Sequence, residues 1–335
     1  MKKSIAVLLC LVMLLSFVFF AAASDVIYLY PSETLPEDTL HITAHRGLSA
    51  LAPENTLPAY RLAGEYGFWG AECDISQTAD GVWVLMHDKT VDRMTDGEGL
   101  VSNFTYEELS ALTVDAGNNI EQFPGTKVPT LVEYLDVCRE YGLHPVIEIK
   151  EVVDVNNLPD LAAILNAREE KDRFVIISFG RELIAGIKTL LPETPAYLIA
   201  SPATADDMSF CLENNIDGLD AAYNVSESVI RQAQDAGLQL MAWTVDSVTW
   251  VERMAAYGIL DITSNCLVPG RAPTTEPSTE PTTEPTTQPT TQPTTQPAPQ
   301  PSGGSGNTSS FGSFFQRIAD WFRQLFATIA GWFKR

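Results

Sequence analysis

From His41 to Gly270 short apolar runs alternate with helix-period segments, and no other feature of the chain limits its fold as strongly. Candidate strands are Ile42–His45, Ala71–Gln77, Val82–His87, Pro145–Lys150, Phe174–Phe179, Ala196–Ala200, Gly218–Ala222, Leu240–Val245 and Leu260–Ser264. Between most of them lie amphipathic patterns such as Thr56–Tyr66, Leu131–Tyr141, Arg181–Leu191, Glu227–Ala236 and Val248–Tyr257. Several of these stop at a glycine (Gly67, Gly142, Gly237, Gly258), the residue that most readily takes the left-handed position after a helix. Hydrophobic strands separated by helices predict an α/β fold, a parallel sheet covered by helices. The length suits an eight-stranded (β/α)8 barrel of the TIM type better than an open doubly wound sheet. No G-x-G-x-x-G turn follows the first strand, which removes the best support for a dinucleotide-binding fold.

Nine candidate strands are one too many for such a barrel. Gln77 to Val82 leaves no room for a crossover helix, so one of the two strands flanking it is expected to be a hairpin-like irregularity. Segment Lys89–Val128 has weak periodicity and many turn residues. It reads as a short inserted loop region after the third strand, over the mouth where barrel active sites sit.

The ends of the chain are of different composition. Residues 1–23 combine Lys2 and Lys3, an apolar run from Ile5 to Phe20 and the small residues Ala21-Ala22-Ala23, the pattern of a secretory signal peptide; the expected location is therefore extracellular or at the cell surface. Residues 40–270 form the expected catalytic barrel. Residues 271–307 repeat Thr-Thr-Glu-Pro and Thr-Thr-Gln-Pro, a linker that has no apolar groups to bury and is expected to be disordered and extended. In residues 308–335, Phe311, Phe314, Phe315, Ile318, Trp321, Phe322, Leu325 and Phe326 recur at three- and four-residue steps, with Arg317 and Arg323 among them. That pattern predicts an amphipathic helix lying on a membrane surface, with docking to a partner protein as the rival reading. The formal net charge of −22 argues against a nucleic-acid partner. Cys73, Cys138, Cys211 and Cys266 lie in apolar or periodic segments without metal-type spacing and are read as core thiols.

Against this acidic background, chemistry concentrates between His45 and Asp88, with a later contribution from Glu148-x-Lys150. The chain has only four histidines, and His45 and His87 both fall in this constellation. Glu72 and Asp74 are two apart, so both side chains emerge on one face of a strand. The strand is otherwise apolar (Ala71, Cys73, Ile75), which points those carboxylates into the barrel, where they need a cation. Glu148 approaches from another strand. Three hard oxygen ligands favour one divalent cation, Ca²⁺ or Mg²⁺. Arg46 and Lys150 supply positive charge to a phosphate, Arg46 through a forked contact. His45 and His87 suit general acid and base work on its ester oxygens, with the order left open. Asn55 is expected to brace His45 or the metal shell, Glu54 to act as a salt-bridge or capping residue, and Asp88 to support His87. His41 and His144, on the opposite side of the barrel, receive no role.

The order of these motifs resembles the glycerophosphodiester phosphodiesterase family. The resemblance runs from about His41 to Gly270: His45-Arg46-Gly47, five residues, Pro53-Glu54-Asn55-Thr56, then Glu72-x-Asp74, His87-Asp88, the Asp92–Gly97 stretch and Glu148-x-Lys150. It implies a barrel that cleaves glycerophosphodiesters, a small-molecule or lipid-derived substrate, to sn-glycerol 3-phosphate and an alcohol. It also implies that the substrate's own glycerol hydroxyl attacks first, giving a cyclic phosphate that water opens. Trp243 resembles the family's aromatic wall for the glycerol moiety; a core tryptophan is the alternative. Ile262-Thr263-Ser264-Asn265 departs from the family pattern, as does Ser178-Phe179-Gly180, which puts substrate contacts in doubt. The rivals are a lysophospholipase D using the same site, and a surface-displayed, non-catalytic barrel with a membrane-binding C-terminal helix.

Overall fold

A computed structural model describes residues 26–29, 40–150, 153–168 and 173–270. The expected signal peptide (1–23), linker (271–307) and C-terminal helix (308–335) lie outside the described residues. In chain order the strands are β1 (Ile27–Leu29), β2 (His41–Ala44), β3 (Gly70–Gln77), β4 (Trp83–Leu85), β5 (His144–Ile149), β6 (Val175–Ser178), β7 (Ala196–Ala200), β8 (Gly218–Ala222), β9 (Gln239–Trp243), β10 (Asp261–Ser264) and β11 (Leu267–Pro269). The helices are α1 (Leu57–Glu65), α2 (Tyr106–Ala111), α3 (Leu131–Tyr141), α4 (Leu158–Asn166), α5 (Arg181–Leu190), α6 (Ala205–Glu213), α7 (Glu227–Asp235) and α8 (Val248–Ala256).

Eight parallel strands run β2-β10-β9-β8-β7-β6-β5-β3, and β3 pairs again with β2, which closes the barrel. The register is regular: Glu72 lies beside Val146 and Asp74 beside Glu148. All but the last residue of β3 are buried. Its alternate residues divide between two layers. Ala71, Cys73 and Ile75 join the large core that also contains Tyr60 of α1 and Tyr134 of α3. Inside the barrel Val146, Ile177, Tyr197, Ile199 and Met241 form a second, smaller core. An α/β barrel is a packed body on both faces of its sheet, which is why its strands read as nearly continuous apolar runs.

Local chemistry explains the helix boundaries. Thr130 accepts from the Glu133 amide while Glu133 returns to the Thr130 amide, a reciprocal cap on α3 that stabilises by about 1 kcal/mol. The same helix ends on Gly142 at φ 72°, a conformation that costs a glycine little.

The extra strand resolves as expected for a hairpin. β4 runs antiparallel to β3, with Gln77 opposite Trp83 and Ile75 opposite Leu85, because a turn that short cannot carry a crossover. The strand is shorter than Val82–His87, and His87 therefore stands beyond an arm of the sheet and not at the end of a barrel strand. Its neighbour Met86 donates its amide to the Asp74 carbonyl at 3.0 Å, which keeps His87 beside the site. The insertion after β4 has a small core of its own, including Val91, Met94, Val101, Leu109 and Val114. It is pinned to the loop after β2 by Asn118 Nδ2 on the Ser49 carbonyl (2.7 Å) and Asn119 Nδ2 on the Leu51 carbonyl (3.0 Å). Cys73, Cys138 and Cys211 are buried, Cys266 is partly exposed, and none of the four forms a disulfide among the described residues.

Candidate active site

The site begins with a turn. Immediately after β2 the backbone takes two successive left-handed residues, Arg46 (φ 57°) and Gly47 (φ 76°). A side chain on Gly47 would meet the backbone of Ala59 at 2.7 Å, so the glycine lets α1 pack against the turn. The twist aims the Arg46 amide at Glu72 Oε2, 2.8 Å away. Close packing of α1 also brings the Tyr60 hydroxyl within 2.8 Å of Asn55 Oδ1, which also accepts the Asp74 amide. With its oxygen so occupied, Asn55 must present its nitrogen to Asp74 Oδ2, at 2.6 Å. Of the two roles expected for Asn55, bracing the acidic cluster is therefore the one the contacts describe.

Glu72, Asp74 and Glu148 are all buried, and one oxygen from each lies within 4.8 Å of the others. Lys150 Nζ bridges Glu148 Oε1 (2.7 Å) and Asp74 Oδ1 (3.2 Å), and Arg46 Nε lies 3.2 Å from Asp74 Oδ2. These cations act unequally. Burial alone would raise Asp74, but Lys150, Arg46 and His87 outweigh it and hold the group below its ordinary value. Burial, with Asp74 close by, pushes Glu148 up to about 7. Burial, Asp74 and Glu148 together push Glu72 well above the carboxylate range. Glu72 Oε1 is moreover buried without a hydrogen-bond partner. An orphaned oxygen in an all-carboxylate set this tight is the environment a divalent metal would complete, and the three residues fit one.

The two histidines flank this cluster in different company. His45 Nδ1 is 2.6 Å from Asn265 Oδ1, and its Nε2 is 3.9 Å from Glu72 Oε2. Burial and the adjacent Arg46 guanidinium hold His45 below its ordinary value, against the hydrogen bond to Asn265. His87 Nδ1 is 2.7 Å from Asp88 Oδ1. Arg93 Nε binds the other oxygen of Asp88 at 2.6 Å and, with His87, holds that carboxyl down at about 2. Arg93 also reaches Glu54 (2.7 Å), which in turn takes Arg46 Nη1 (2.9 Å), so one ion-pair chain joins the two halves of the site. Glu54 thus forms ion pairs with both arginines.

Trp243, at the end of β9, stands apart from this network. Its indole nitrogen donates to the Asp220 carbonyl (3.1 Å), its ring meets Phe179 edge-on at 5.6 Å, and it packs on the inner barrel core while remaining half-buried. Three residues without an assigned role also belong to the site. Arg93 lies in the Asp92–Gly97 stretch. Asn265 sits in the stretch noted as a departure from the family pattern, and Asp246 has no sequence signal. A pocket of about 460 Å³ opens beside them, lined by Ser49, Glu54, Arg93, Asn118, Asp246 and Asn265 among others.

Comparison with known proteins agrees with this arrangement. Residues 45–265 match the model of the glycerophosphoryl diester phosphodiesterase family. A glycerophosphodiester phosphodiesterase of Caldanaerobacter subterraneus subsp. tengcongensis is 33% identical over 222 residues, 65% of this chain and 90% of that protein. Glycerophosphodiester phosphodiesterase 1 of Mus musculus is 43% identical over 121 residues, a stretch covering 36% of this chain and 37% of the mouse protein. Among solved structures, an Oleispira antarctica phosphodiesterase in complex with the product sn-glycerol-3-phosphate superposes with a TM-score of 0.62 at 27% identity, covering 68% of this chain and 94% of that one. With the barrel, the ordered motifs and these matches in agreement, the chain belongs to the glycerophosphodiester phosphodiesterase family of enzymes.

Proposed function

We propose that the protein is an exported, metal-dependent phosphodiesterase that hydrolyses glycerophosphodiesters to sn-glycerol 3-phosphate and an alcohol, with His45 as general base and His87 as general acid. The observation that carries this reading is the unequal pairing of the histidines across one buried acidic cluster. An amide oxygen faces His45 and adds no charge, so its Nε2 keeps a lone pair beside the cluster. At His87 the partner is instead the Asp88 carboxylate, 2.7 Å from Nδ1, the kind of contact that holds and orients a ring handing a proton to a departing alcohol. Glu72, Asp74 and Glu148 would hold Ca²⁺ or Mg²⁺, which when bound supplies charge to a non-bridging phosphate oxygen. Arg46 and Lys150 add positive charge toward the same group. His45 takes the proton of the attacking glycerol hydroxyl, and His87 delivers one to the leaving oxygen. With the roles reversed, the same pair opens the cyclic phosphate with water.

The pocket beside Asn265 favours a hydrophilic alcohol. Its lining sets the charged and amide groups of Glu54, Arg93, Asn118 and Asp246 among the small or apolar residues Ala50, Met94 and Ala116, a mixed wall that suits a polar alcohol better than a long acyl chain. Release of glycerol 3-phosphate from glycerophosphocholine should require a divalent cation and exceed release from lysophosphatidylcholine. The opposite preference would transfer the assignment to lysophospholipids. The basic aromatic segment 308–335 supports peripheral attachment to a membrane. Deleting Thr308–Arg335 should abolish binding to liposomes while leaving turnover of glycerophosphocholine unchanged; retained liposome binding would refute the attachment.

A further inference from the structure

We infer that Asp246 and Asn265 form a positioning pair that sets the tautomer of His45, placing its proton on Nδ1 and its lone pair on Nε2 toward Glu72. This rests on the reading of His45 as general base. The two residues come together by barrel closure. Asn265 follows β10, whose Ser264 pairs with Ala44 of β2, and the His45 amide donates to the Ser264 carbonyl at 2.9 Å. Asp246 lies just beyond β9, where the Val245 amide donates to the Thr263 carbonyl at 2.9 Å.

Hydrogen-bond polarity then propagates from the carboxylate to the imidazole. A carboxylate only accepts. Asp246 Oδ1 takes the Ser264 hydroxyl and the Asn265 amide, both at 2.8 Å, and Oδ2 takes a third donor at 2.6 Å. That third donor must be the side-chain nitrogen of Asn265, which turns the amide oxygen toward His45. Asn265 Oδ1 in turn can only accept, from His45 Nδ1 at 2.6 Å and from the Ser49 hydroxyl at 3.5 Å. The imidazole proton is therefore held on Nδ1. A lone pair at Nε2 is what a base needs, and an amide reader achieves this without placing a second carboxylate on the ring.

The substitution Asp246→Asn tests the relay with little change in shape. Residue 246 still accepts from Ser264 and from the Asn265 backbone, but it now presents an NH₂ to the Asn265 side chain. The Asn265 amide must turn over, offer its nitrogen to His45 Nδ1 and drive the ring proton to Nε2. In the double variant Asn265→Asp/Asp246→Asn, the carboxylate at 265 accepts from both neighbours, so every hydrogen bond returns. The full-length protein with its divalent cation is assayed on glycerophosphocholine, while ¹⁵N NMR of the histidine rings reads the tautomer. Asp246→Asn is expected to shift His45 to the Nε2–H form and to lower kcat roughly 100-fold with little change in KM; the double variant is expected to return the ring proton to Nδ1, with kcat recovering only in part because a carboxylate then faces the ring. A ring that stays Nδ1–H with kcat unchanged overturns the relay. A shifted tautomer with undiminished kcat upholds the relay and overturns the role of His45 as base.

Discussion

The β2–β10 pair carries a histidine contact at each rim of the barrel, and the two contacts differ in what faces the ring. At the N-terminal rim His41 Nδ1 meets Asp261 Oδ1 at 2.8 Å, with both side chains well exposed (40% and 38%). Trp69 stacks between His41 and His144, its ring centroid 4.5 Å from one and 4.1 Å from the other. At the C-terminal rim His45 meets the amide of Asn265 in a partly buried setting beside the buried Glu72. The strand pair and the sequence offset are the same. The N-terminal rim spends its histidines on stacking and an exposed contact with Asp261, whereas the C-terminal rim leaves His45 Nε2 next to buried carboxylates. Environment, and not the presence of a histidine at a strand end, separates a structural ring from a chemical one.

Substituting the two rims separately should give opposite outcomes. His45→Ala is expected to lower kcat by roughly 10²–10⁴-fold with near-wild-type stability, as measured by steady-state turnover and thermal melting. His41→Ala should leave turnover within about two-fold and cost under about 1 kcal/mol, because its contact with Asp261 is exposed to solvent. Loss of turnover in His41→Ala would erase the distinction between the rims.

Proton linkage sharpens the contrast further. Glu148, raised to about 7, and Glu72, raised well above its ordinary value, retain protons in the folded protein that the unfolded chain releases near pH 4.5. The metal-free protein should therefore lose stability as pH rises from about 5 to about 8, by roughly 1–3 kcal/mol. Asp74 is depressed and is silent in that window, since its contribution fades only in acid. A divalent cation should raise the melting temperature more at pH 8 than at pH 5, because it competes with those protons. Equal shifts at both pH values would mean that the cation binds elsewhere.

A further effect is expected on folding of the turn itself. Gly47→Ala places a methyl group 2.7 Å from the Ala59 backbone at φ 76°, so α1 must move. A loss of roughly 1–3 kcal/mol in chemical denaturation is expected, with weakened activity because α1 carries Tyr60, which fixes Asn55. A fully stable Gly47→Ala would show that the packing of α1 does not depend on this turn.

Much of this architecture was legible in the sequence because its causes are local. The period-two step from Glu72 to Asp74, with apolar residues between, announces two inward carboxylates. Gly142 ends its helix for a reason visible in one residue. The extra strand after Gln77 was also readable, since chain length alone excludes a crossover. What could not be read depends on closure of the barrel. The His45–Asn265 contact joins residues 220 positions apart, and no period or spacing brings Asp246 to them. The link from Arg93 through Glu54 to Arg46 is of the same kind: each residue was visible in a motif, but the chain they form exists only once the insertion is folded against the loop after β2.

The division of labour between the histidines is the central claim, and leaving-group chemistry tests it most directly. Single-turnover release of the leaving alcohol by His45→Ala and His87→Ala would be compared on glycerophosphocholine and on a glycerophosphodiester whose leaving group is p-nitrophenol, an alcohol acidic enough to depart without a proton. The account predicts that His87→Ala is severely impaired on the choline ester and largely recovers on the nitrophenyl ester, while His45→Ala is impaired on both. Recovery of His45→Ala with no recovery of His87→Ala would reverse the assignment, and with it the meaning given to the amide and the carboxylate.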